Sequence, residues 1–217
     1  MPPRALDPSG LVLVYKPAGP SSFALVRDLR KRTGARAGHA GTLDPFATGL
    51  LLILLGRFTK EQQRFVGLAK HYRTEIDLTA RTNTGDLEGE LVDEGKPPSP
   101  AELLRRLEEF RGDVDLRIPA ASAVKIGGER AYKLHRKGVA VEMPVRRSTI
   151  HALELLGYDG RTAALDLLVG SGTYVRSIAD ALGGHCVSLR RTEVGPFRVE
   201  DADPGRIIPP EDALGVL

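Results

Sequence analysis

The stretch of the chain that says most about its fold and chemistry is residues 38–49, GHAGTLDPFATG. Its glycines allow positive φ angles and close approach of a ligand to the backbone. Asp44 precedes a proline, which favours an extended backbone from which the carboxylate can project. Taken by itself, an Asp-Pro pair is more often the start of a turn, and a single histidine such as His39 more often packs than catalyses. These residues alone leave a turn and a catalytic loop both open.

The patterns on either side of this loop predict an α+β protein. Residues 11–15 form an apolar run that ends at a Lys-Pro pair, which is typical of a strand followed by a turn. Residues 22–32 predict a helix with Ser21 or Ser22 as its cap and Gly34 as its stop. Further strands are predicted near residues 50–55, 72–78, 149–156, 162–169 and 187–194, and further helices near residues 100–111, 129–137 and 175–182. Because strands outnumber helices and follow one another, we expect a long mixed or antiparallel sheet flanked by helices.

Length and composition are those of an ordinary globular protein. The chain has 217 residues, of which 41% are hydrophobic and 27% charged, and such a length can form a core without disulfides or metals. No apolar run approaches the ~20 residues of a membrane span, and the first ten residues lack the apolar stretch of a secretory signal. The single cysteine, Cys186, excludes an intrachain disulfide and a C-x-x-C site. We expect a soluble cytoplasmic protein with one domain over residues 1–217.

Positive charge is concentrated in two short segments, although the formal net charge is only +3. The first segment contains Arg27, Arg30, Lys31, Arg32 and Arg36, and the second contains Arg190, Arg191 and Arg198. Such clusters suit the neutralisation of nucleic-acid phosphates, where each contact releases condensed counterions. The alternative is a solvated helix face that keeps the protein soluble. Charge alone leaves both interpretations open.

The glycine-rich segment resembles the signature loop of the TruB family of tRNA pseudouridine synthases, G-H-T-G-x-L-D-P-x-A-T-G. Only Ala40 departs from that pattern, where the family usually has threonine. The resemblance continues in one order from about residue 11 to residue 197. The other matching segments are residues 16–22 (K-P-x-G-x-[ST]-S), 56–60, 70–72 (K-x-Y), 81–89 (R-T-D-T-x-D-x-x-G, with Asn83 for the first aspartate), 122–132 (S-A-x-K), 172–180 (G-T-Y-[IV]-R-x-[IL]-x-x-D) and 189–191 (L-R-R).

The resemblance implies a pseudouridine-synthase fold with an active cleft across the middle of its sheet. It also implies isomerisation of the T-loop uridine at position 55 of tRNA, with the target base flipped out of its stack. The reaction needs no cofactor and no metal, because it is neither a redox step nor one that requires energy input. His39 and Asp44, without a third ligand nearby, also fall short of a usual metal site. The expected partner is the T-arm of tRNA, bound by a monomer.

The resemblance assigns catalysis to Asp44, Arg176 and Tyr72. Asp44 matches the catalytic aspartate, and attack on C1′, attack on C6 and assistance to proton abstraction from C2′ all remain open. Arg176 matches the arginine that pairs with this carboxylate and would keep it ionised in a dry pocket. Tyr72 matches the tyrosine that stacks on the base and takes part in proton transfer from C5. Without the family, Tyr72 reads as a core-facing strand residue and Arg176 as a surface helix residue.

Four further residues are expected to bind the substrate. His39 matches the histidine that stabilises flipped-out RNA, and Tyr174 matches a second tyrosine of the pocket. Leu189 matches an apolar pocket wall, although a core-facing strand position is its plain alternative. Lys16 is assigned to the substrate as well, and the alternative is that Lys16 holds the loop rather than the RNA.

Three departures from the family pattern bear on substrate binding. Bacterial relatives usually continue into a C-terminal PUA domain, and the chain stops at Leu217, before that domain. Either the protein lacks the domain naturally or the chain is truncated, and we expect weaker binding to whole tRNA. The glutamine, one proline and the tyrosine of the family's Q-x-P-P-x-Y-S-A segment are missing from residues 116–123. The stretch at residues 182–189 is also shorter than in relatives. A non-enzymatic RNA-binding protein or tRNA-folding chaperone on the same scaffold is the alternative function, and synthase activity on another RNA is a third.

Overall fold

The loop at residues 38–49 lies between two strands of a sheet in the computed structural model, which describes residues 8–217. The expected lack of a secretory signal concerns a segment of which residues 1–7 lie outside the described part. The described chain divides into two compact units. The first is the chain up to Tyr72 together with Leu189–Leu217, and the second is Arg73–Ser188.

Thirteen strands occur in the described residues. They are β1 Gly10–Lys16, β2 Ala37–His39, β3 Thr48–Leu55, β4 Lys70–Asp77, β5 Ala80–Thr82, β6 Leu91–Glu94, β7 Gly112–Arg117, β8 Lys125–Ile126, β9 Glu129–Arg130, β10 Val145–Tyr158, β11 Thr162–Val169, β12 His185–Val194 and β13 Phe197–Arg198. The boundary between the two units falls within β4 and within β12.

The same residues form six α-helices and two short 3-10 helices. The α-helices are α1 Ser22–Thr33, α2 Gln62–Val66, α3 Pro100–Glu108, α4 Ala131–Arg136, α5 Val175–Ala181 and α6 Pro210–Gly215, and the 3-10 helices are Gly56–Glu61 and Val199–Asp201.

The first unit is built around β3. This strand pairs antiparallel with β1 and β2 and parallel with β12, where Arg191 lies opposite Gly49. Both faces of β3 are buried, which explains why residues 50–55 form an unbroken apolar run rather than an alternating one. Leu50, Leu52 and Leu54 pack into a core with Phe58, Phe65 and Phe197, while Leu51, Ile53 and Leu55 pack against Val26 and Leu29 of α1.

Helix α1 begins and ends where the local signals predict. The Ser21 hydroxyl accepts a hydrogen bond from the backbone N–H of Ala24, and Gly34 terminates the helix at a positive φ of 70°. Position 34 therefore favours glycine, since a side chain at positive φ is strained. Val26 and Leu29 point into the core, which fixes one face of the helix and leaves the opposite face exposed.

The second unit carries an antiparallel ladder in which β10 pairs with both β7 and β11. Helix α3 begins at its predicted cap, where the Ser99 hydroxyl accepts from the N–H of Glu102. It ends at Glu108, whereas Gly112 starts β7, a strand that the sequence patterns did not predict. The helix predicted near residues 129–137 starts at Ala131, because residues 129–130 pair with residues 125–126 in a short hairpin.

The α+β class and the mixed sheet are confirmed, since parallel and antiparallel pairs meet on β3. The single domain over residues 1–217 and the central cleft stay predictions.

Gly49 provides a test of the β3–β12 pairing. A Cβ atom at this position would lie 2.1 Å from the carbonyl oxygen of Arg191, and the backbone φ is +110°. Gly49→Ala should therefore lower the free energy of unfolding by about 3 kcal/mol or more, through backbone displacement and conformational strain. Urea denaturation measures this change. Gly95→Ala is the control, because a methyl group at position 95 would have nothing within 4 Å of it, and equal losses in the two variants would contradict the prediction.

Candidate active site

The loop at residues 38–49, which carries the predicted catalytic residue Asp44, is held by a buried lysine. Lys16, at the end of β1, donates from Nζ to the carbonyl oxygens of Pro17, Pro45 and Ala47 at 2.8, 3.0 and 2.6 Å. The Lys16 side chain is fully buried. These contacts are the ones expected if Lys16 holds the loop, and its assignment to the substrate stays a prediction. The backbone that follows Asp44 is thereby tied to β1.

Helix α1 holds the residue that precedes the aspartate. The Ser22 hydroxyl accepts from the N–H of Leu43 at 2.9 Å and donates to the carbonyl of the same residue at 3.0 Å. Ser22 is buried at the first position of α1, so the beginning of the helix and the loop form one hydrogen-bonded piece. Asp44 itself is half-buried, and its carbonyl accepts from Ala47 in a turn. The turn interpretation of the Asp-Pro pair is therefore confirmed, and the catalytic role of the loop stays a prediction.

A second buried cation binds both the loop and the strand that follows it. Arg191, on β12, donates from Nε to the carbonyl of Leu50 at 2.8 Å and from Nη2 to the carbonyl of Gly41 at 3.2 Å. Gly41 has a φ of +93°, a conformation that glycine adopts without strain. Arg191 thus fixes the loop to β12, on which the predicted pocket residue Leu189 also lies.

The charge of Arg191 affects two titratable neighbours. Burial, together with the positive charge of Arg191, lowers the pKa of Lys70 from 10.5 to about 8. The Lys70 ammonium is buried and donates to the carbonyls of Val66 and Leu68, both at 2.5 Å. The same two causes, burial first and Arg191 second, lower the pKa of His39 below its usual 6.5. His39 is therefore a neutral ring at pH 7, and its buried Nδ1 has no hydrogen-bond partner within residues 8–217.

Tyr72 and Leu189 are both buried, at 8% and 6% exposure. Tyr72 lies on β4 and Leu189 on β12. Burial is expected both for a core-facing strand residue and for the wall of a closed base pocket, so their assigned roles stay predictions.

Arg176 is buried, with 1% exposure, and the surface-helix alternative for it is wrong. The guanidinium donates from Nη1 to the carbonyl of Thr84 at 2.6 Å and from Nη2 to that of Ala121 at 2.9 Å. It also pairs with the buried carboxylate of Asp86 at 3.5 Å. Its pairing with Asp44 stays a prediction.

Asp86 is fixed independently of this ion pair. Its Oδ1 accepts from the Thr84 hydroxyl at 2.6 Å and from the N–H of Glu88 at 3.1 Å. The turn around Asp86 therefore presents a preorganised carboxylate to Arg176. Tyr174, at the cap of α5, packs against the apolar cluster of Ile118, Ala131 and Met143, and its role in the base pocket stays a prediction.

Sequence reasoning placed Lys70, Asp86 and Arg191 inside family motifs and assigned no role to Lys70 or Asp86. It counted Arg191 in the second cluster of phosphate-neutralising or solvated charges, and for this residue both interpretations are wrong, because Arg191 is 1% exposed and binds backbone carbonyls. In the structure Arg191 binds the loop at Gly41, Asp86 pairs with Arg176, and Lys70 binds the carbonyls of Val66 and Leu68. The sequence did contain a signal for these contacts. A charged residue in a strand or turn that packs into the core needs a hydrogen-bonding or charged partner. Within residues 8–217, no three His, Cys, Asp or Glu side chains are grouped to hold a metal ion, and the expectation of no metal stays a prediction.

Two solved structures share this fold. A protein in the crystal structure of a Cbf5-Nop10-Gar1 complex superposes with a TM-score of 0.66 and 28% identity, covering 87% of this chain and 50% of that one. The chain thus spans half the length of that protein. A crystal structure of a pseudouridylate synthase matches with a TM-score of 0.52 and 16% identity, over 98% of this chain and 75% of that one. The fold, with the Asp44 loop placed on its sheet, is that of a pseudouridine synthase.

Sequence comparison narrows this class. The family model described as TruB family pseudouridylate synthase, N-terminal domain, matches residues 29–175. The tRNA pseudouridine synthase B of Corynebacterium aurimucosum is 43% identical over 213 residues, which are 92% of this chain and 71% of the relative. That of Bordetella avium is 40% identical over 204 residues, 89% of this chain and 84% of the relative. This chain belongs to the TruB family of pseudouridylate synthases and is an isomerase, as the resemblance in its sequence predicted.

The buried ammonium of Lys70 gives a pH-dependent prediction. Its pKa is lower in the folded chain, about 8 against 10.5, so the unfolded chain binds more protons between these two pH values. The stability contributed by Lys70 therefore rises as the pH rises from about 8 to about 10.5. In Lys70→Met this rise is absent, so the free energy of unfolding of wild type relative to the variant should increase by about 1–3 kcal/mol.

Urea denaturation at pH values on either side of this window measures that difference. Lys60→Met, which removes an exposed lysine of the same unit, controls for the loss of one positive charge. A constant difference between wild type and Lys70→Met across the window would contradict the prediction.

The buried Arg176–Asp86 ion pair gives a prediction about stability. Asp86→Asn leaves a buried guanidinium without this carboxylate and should lower the free energy of unfolding by about 3 kcal/mol. The matched control is Asp93→Asn. Asp93 pairs with Arg81 at 3.0 Å but is exposed, so its loss should cost less than about 1 kcal/mol. Denaturation of both variants in parallel tests the difference, and similar losses would refute a structural role for the buried pair.

Proposed function

We propose that this TruB-family isomerase converts the T-loop uridine at position 55 of tRNA to pseudouridine, with Asp44 as its catalytic carboxylate. The observation that supports it most is the anchored loop. Lys16, Ser22 and Arg191 bind five of its backbone groups, so the aspartate is carried on a fixed backbone. Fixed geometry of this kind is what a nucleophile or proton-transfer group requires. The curated relatives, which are named tRNA pseudouridine synthase B, support tRNA as the substrate.

The reaction breaks the N1–C1′ bond of uridine, rotates the base and forms a C5–C1′ bond. The proton at C5 is lost to solvent and one is gained at N1, so atoms and electrons balance without a redox partner. No cofactor or metal is therefore needed. Asp44 can attack C1′, attack C6 or assist proton abstraction from C2′, and a nucleophilic role requires its ionised form within bonding distance.

The remaining site residues have complementary proposed roles. Tyr72 stacks on the flipped base and assists proton transfer from C5, and Leu189 closes the apolar wall. Tyr174 completes the pocket, and Arg176 keeps the catalytic carboxylate ionised. His39 supports the flipped-out RNA as a neutral ring, because burial and Arg191 lower its pKa. A neutral imidazole suits stacking and hydrogen bonding to a base better than pairing with a phosphate.

A non-enzymatic RNA-binding or tRNA-folding role is not favoured. A carboxylate on an anchored loop repels phosphate and adds nothing to RNA binding as such. The chain also belongs to a family of isomerases. We further propose that it acts as a monomer in the cytoplasm. No helix within residues 8–217 is long and apolar enough to cross a bilayer.

The decisive measurement is release of tritium from tRNA labelled with [5-³H]uridine, since C5 loses its hydrogen when the new bond forms. Wild type should release tritium from unmodified tRNA. Asp44→Asn should release at least about a thousandfold less, because the essential carboxylate is gone, and should still bind the RNA.

The control is Asp203→Asn, which removes an exposed carboxylate outside the loop and should leave the rate unchanged. Binding of tRNA without release by wild type would refute the proposed activity on this substrate. Release by Asp44→Asn at the wild-type rate would refute the assignment of Asp44. A tRNA with cytidine at position 55 distinguishes this uridine from others, since release must then disappear.

A further inference from the structure

Helix α1 has an exposed face that combines one aromatic ring with positive charge. Phe23, Arg27, Arg30 and Lys31 follow one another at i, i+4, i+7 and i+8, which places them on one side of the helix. Phe23 is 58% exposed, and the three cationic residues are exposed as well. Val26 and Leu29 occupy the adjoining, buried side. We call these four residues, together with Arg36, the α1 outer face.

The positive charge of this face extends beyond the C-terminal end of α1. Gly34 ends α1 and turns the chain, so that Arg36 lines the same surface depression as Arg27, Arg30 and Lys31. Among residues 8–217, none of these four has a carboxylate within 4.0 Å. Asp28 is exposed on the flank of the helix, about 100° away from Arg27 around its axis.

Helix stability explains only part of this arrangement. Arg30 and Lys31 lie in the last turn, where positive charge is favourable next to the C-terminal end of the helix dipole. Arg27 lies outside that turn, and Arg36 lies outside the helix. The exposure of Phe23 is unfavourable in water unless a partner covers the ring. A ligand that carries both negative charge and flat rings accounts for all five residues.

The α1 outer face starts beside the catalytic loop. Ser22, next to Phe23, is hydrogen-bonded to Leu43, and Leu43 precedes Asp44. From this point the helix runs for 12 residues, a distance of about 18 Å. An RNA strand whose target nucleotide is at Asp44 therefore has the aromatic ring first and the positive charges further along.

We infer that the α1 outer face binds the substrate RNA next to the modified nucleotide, with Phe23 stacking on a base and the cationic residues contacting backbone phosphates. The inference rests on the proposed function for its choice of RNA. Stacking on an exposed aromatic ring and phosphate contacts from arginine and lysine are how proteins hold unpaired nucleotides without reading their sequence. This surface lies outside the base pocket and contributes affinity rather than chemistry.

The charge component is tested with the triple variant Arg27→Gln/Arg30→Gln/Lys31→Gln. Glutamine is a good helix former, so α1 should persist, which circular dichroism and thermal melting check. Binding to a full-length unmodified tRNA transcript is measured at several salt concentrations. The variant should bind about 10- to 100-fold more weakly at low salt. The slope of log K against log salt should become shallower by roughly 2–3, since three phosphate contacts are lost.

The matched control is Arg105→Gln/Arg106→Gln/Arg111→Gln, on and just after α3. It removes the same net charge, but each of these arginines pairs with a nearby glutamate. Its affinity for tRNA should stay within about twofold of the wild-type value. Its slope of log K against log salt should stay within about 0.5 of the wild-type slope.

The aromatic component is tested separately with Phe23→Ala. This variant should bind tRNA about fivefold or more weakly, while its salt slope stays that of wild type, because no charge is lost. Leu104→Ala, another exposed apolar residue on a helix, is the control and should bind normally. In both α1 variants the rate of tritium release at saturating tRNA should equal that of wild type, with only KM raised.

The results separate this inference from the proposed function. Tritium release by wild type, combined with unchanged affinity and salt slope in the triple variant, would overturn the inference alone. Wild-type binding without release, combined with weaker binding by the triple variant, would overturn the proposed activity and support the RNA-binding surface. A loss of affinity in the triple variant that the α3 control reproduces in full would also overturn the inference, because net charge alone would then explain it.

Discussion

The interaction on which the rest of the site depends is the hydrogen bonding of buried cations to the carbonyl groups of the catalytic loop. Lys16 and Arg191 come from opposite ends of the chain and contact the loop at Pro45, Ala47 and Gly41. Burial of a charge is costly unless polar groups replace its hydration. Backbone carbonyls that point at each cation supply these dipoles, and the same bonds restrain the loop. The same hydrogen bonds thus offset the free-energy cost of burying each cation and restrain the backbone around Asp44.

This arrangement also determines the electrostatics near the loop. Arg191 lies close enough to His39 and Lys70 to lower the pKa of both, in addition to the effect of their burial. The positive charge of Arg191 therefore lies next to the loop backbone, beside the neutral imidazole of His39. A loop held by carboxylates would have placed negative charge next to the surface that we propose binds RNA. Ala40, the one departure from the family's loop pattern, is buried in the apolar core, where its methyl group needs no hydrogen-bond partner.

The parts of the fold that the sequence predicted are those set by short-range signals. The strand at residues 162–169 has the predicted bounds, and α1 has the predicted caps, because period, cap and stop residues lie within a few positions of each other. Strand β7 was missed, since its pairing with β10 is decided about 30 residues later and Gly112 also resembles a helix stop. The contacts of Arg191 were missed for the same reason, and those of Lys16 were foreseen only as an alternative. Lys16 binds a carbonyl 31 residues away and Arg191 one that is 141 residues away. The roles of Asp44, Arg176 and Tyr72 came from resemblance, not from pattern.

The double hydrogen bond between Ser22 and Leu43 has a consequence for how substrate binding and chemistry are linked. It joins the first turn of α1 to the residue before Asp44, and the core contacts of Val26 and Leu29 fix the same helix on the sheet. The exposed side of α1 and the catalytic loop therefore belong to one hydrogen-bonded and packed piece of the first unit. In the inferred complex, binding energy gained along the helix positions the nucleotide relative to the aspartate. In this unit the element that we infer to bind the RNA is also the element that supports the Asp44 loop.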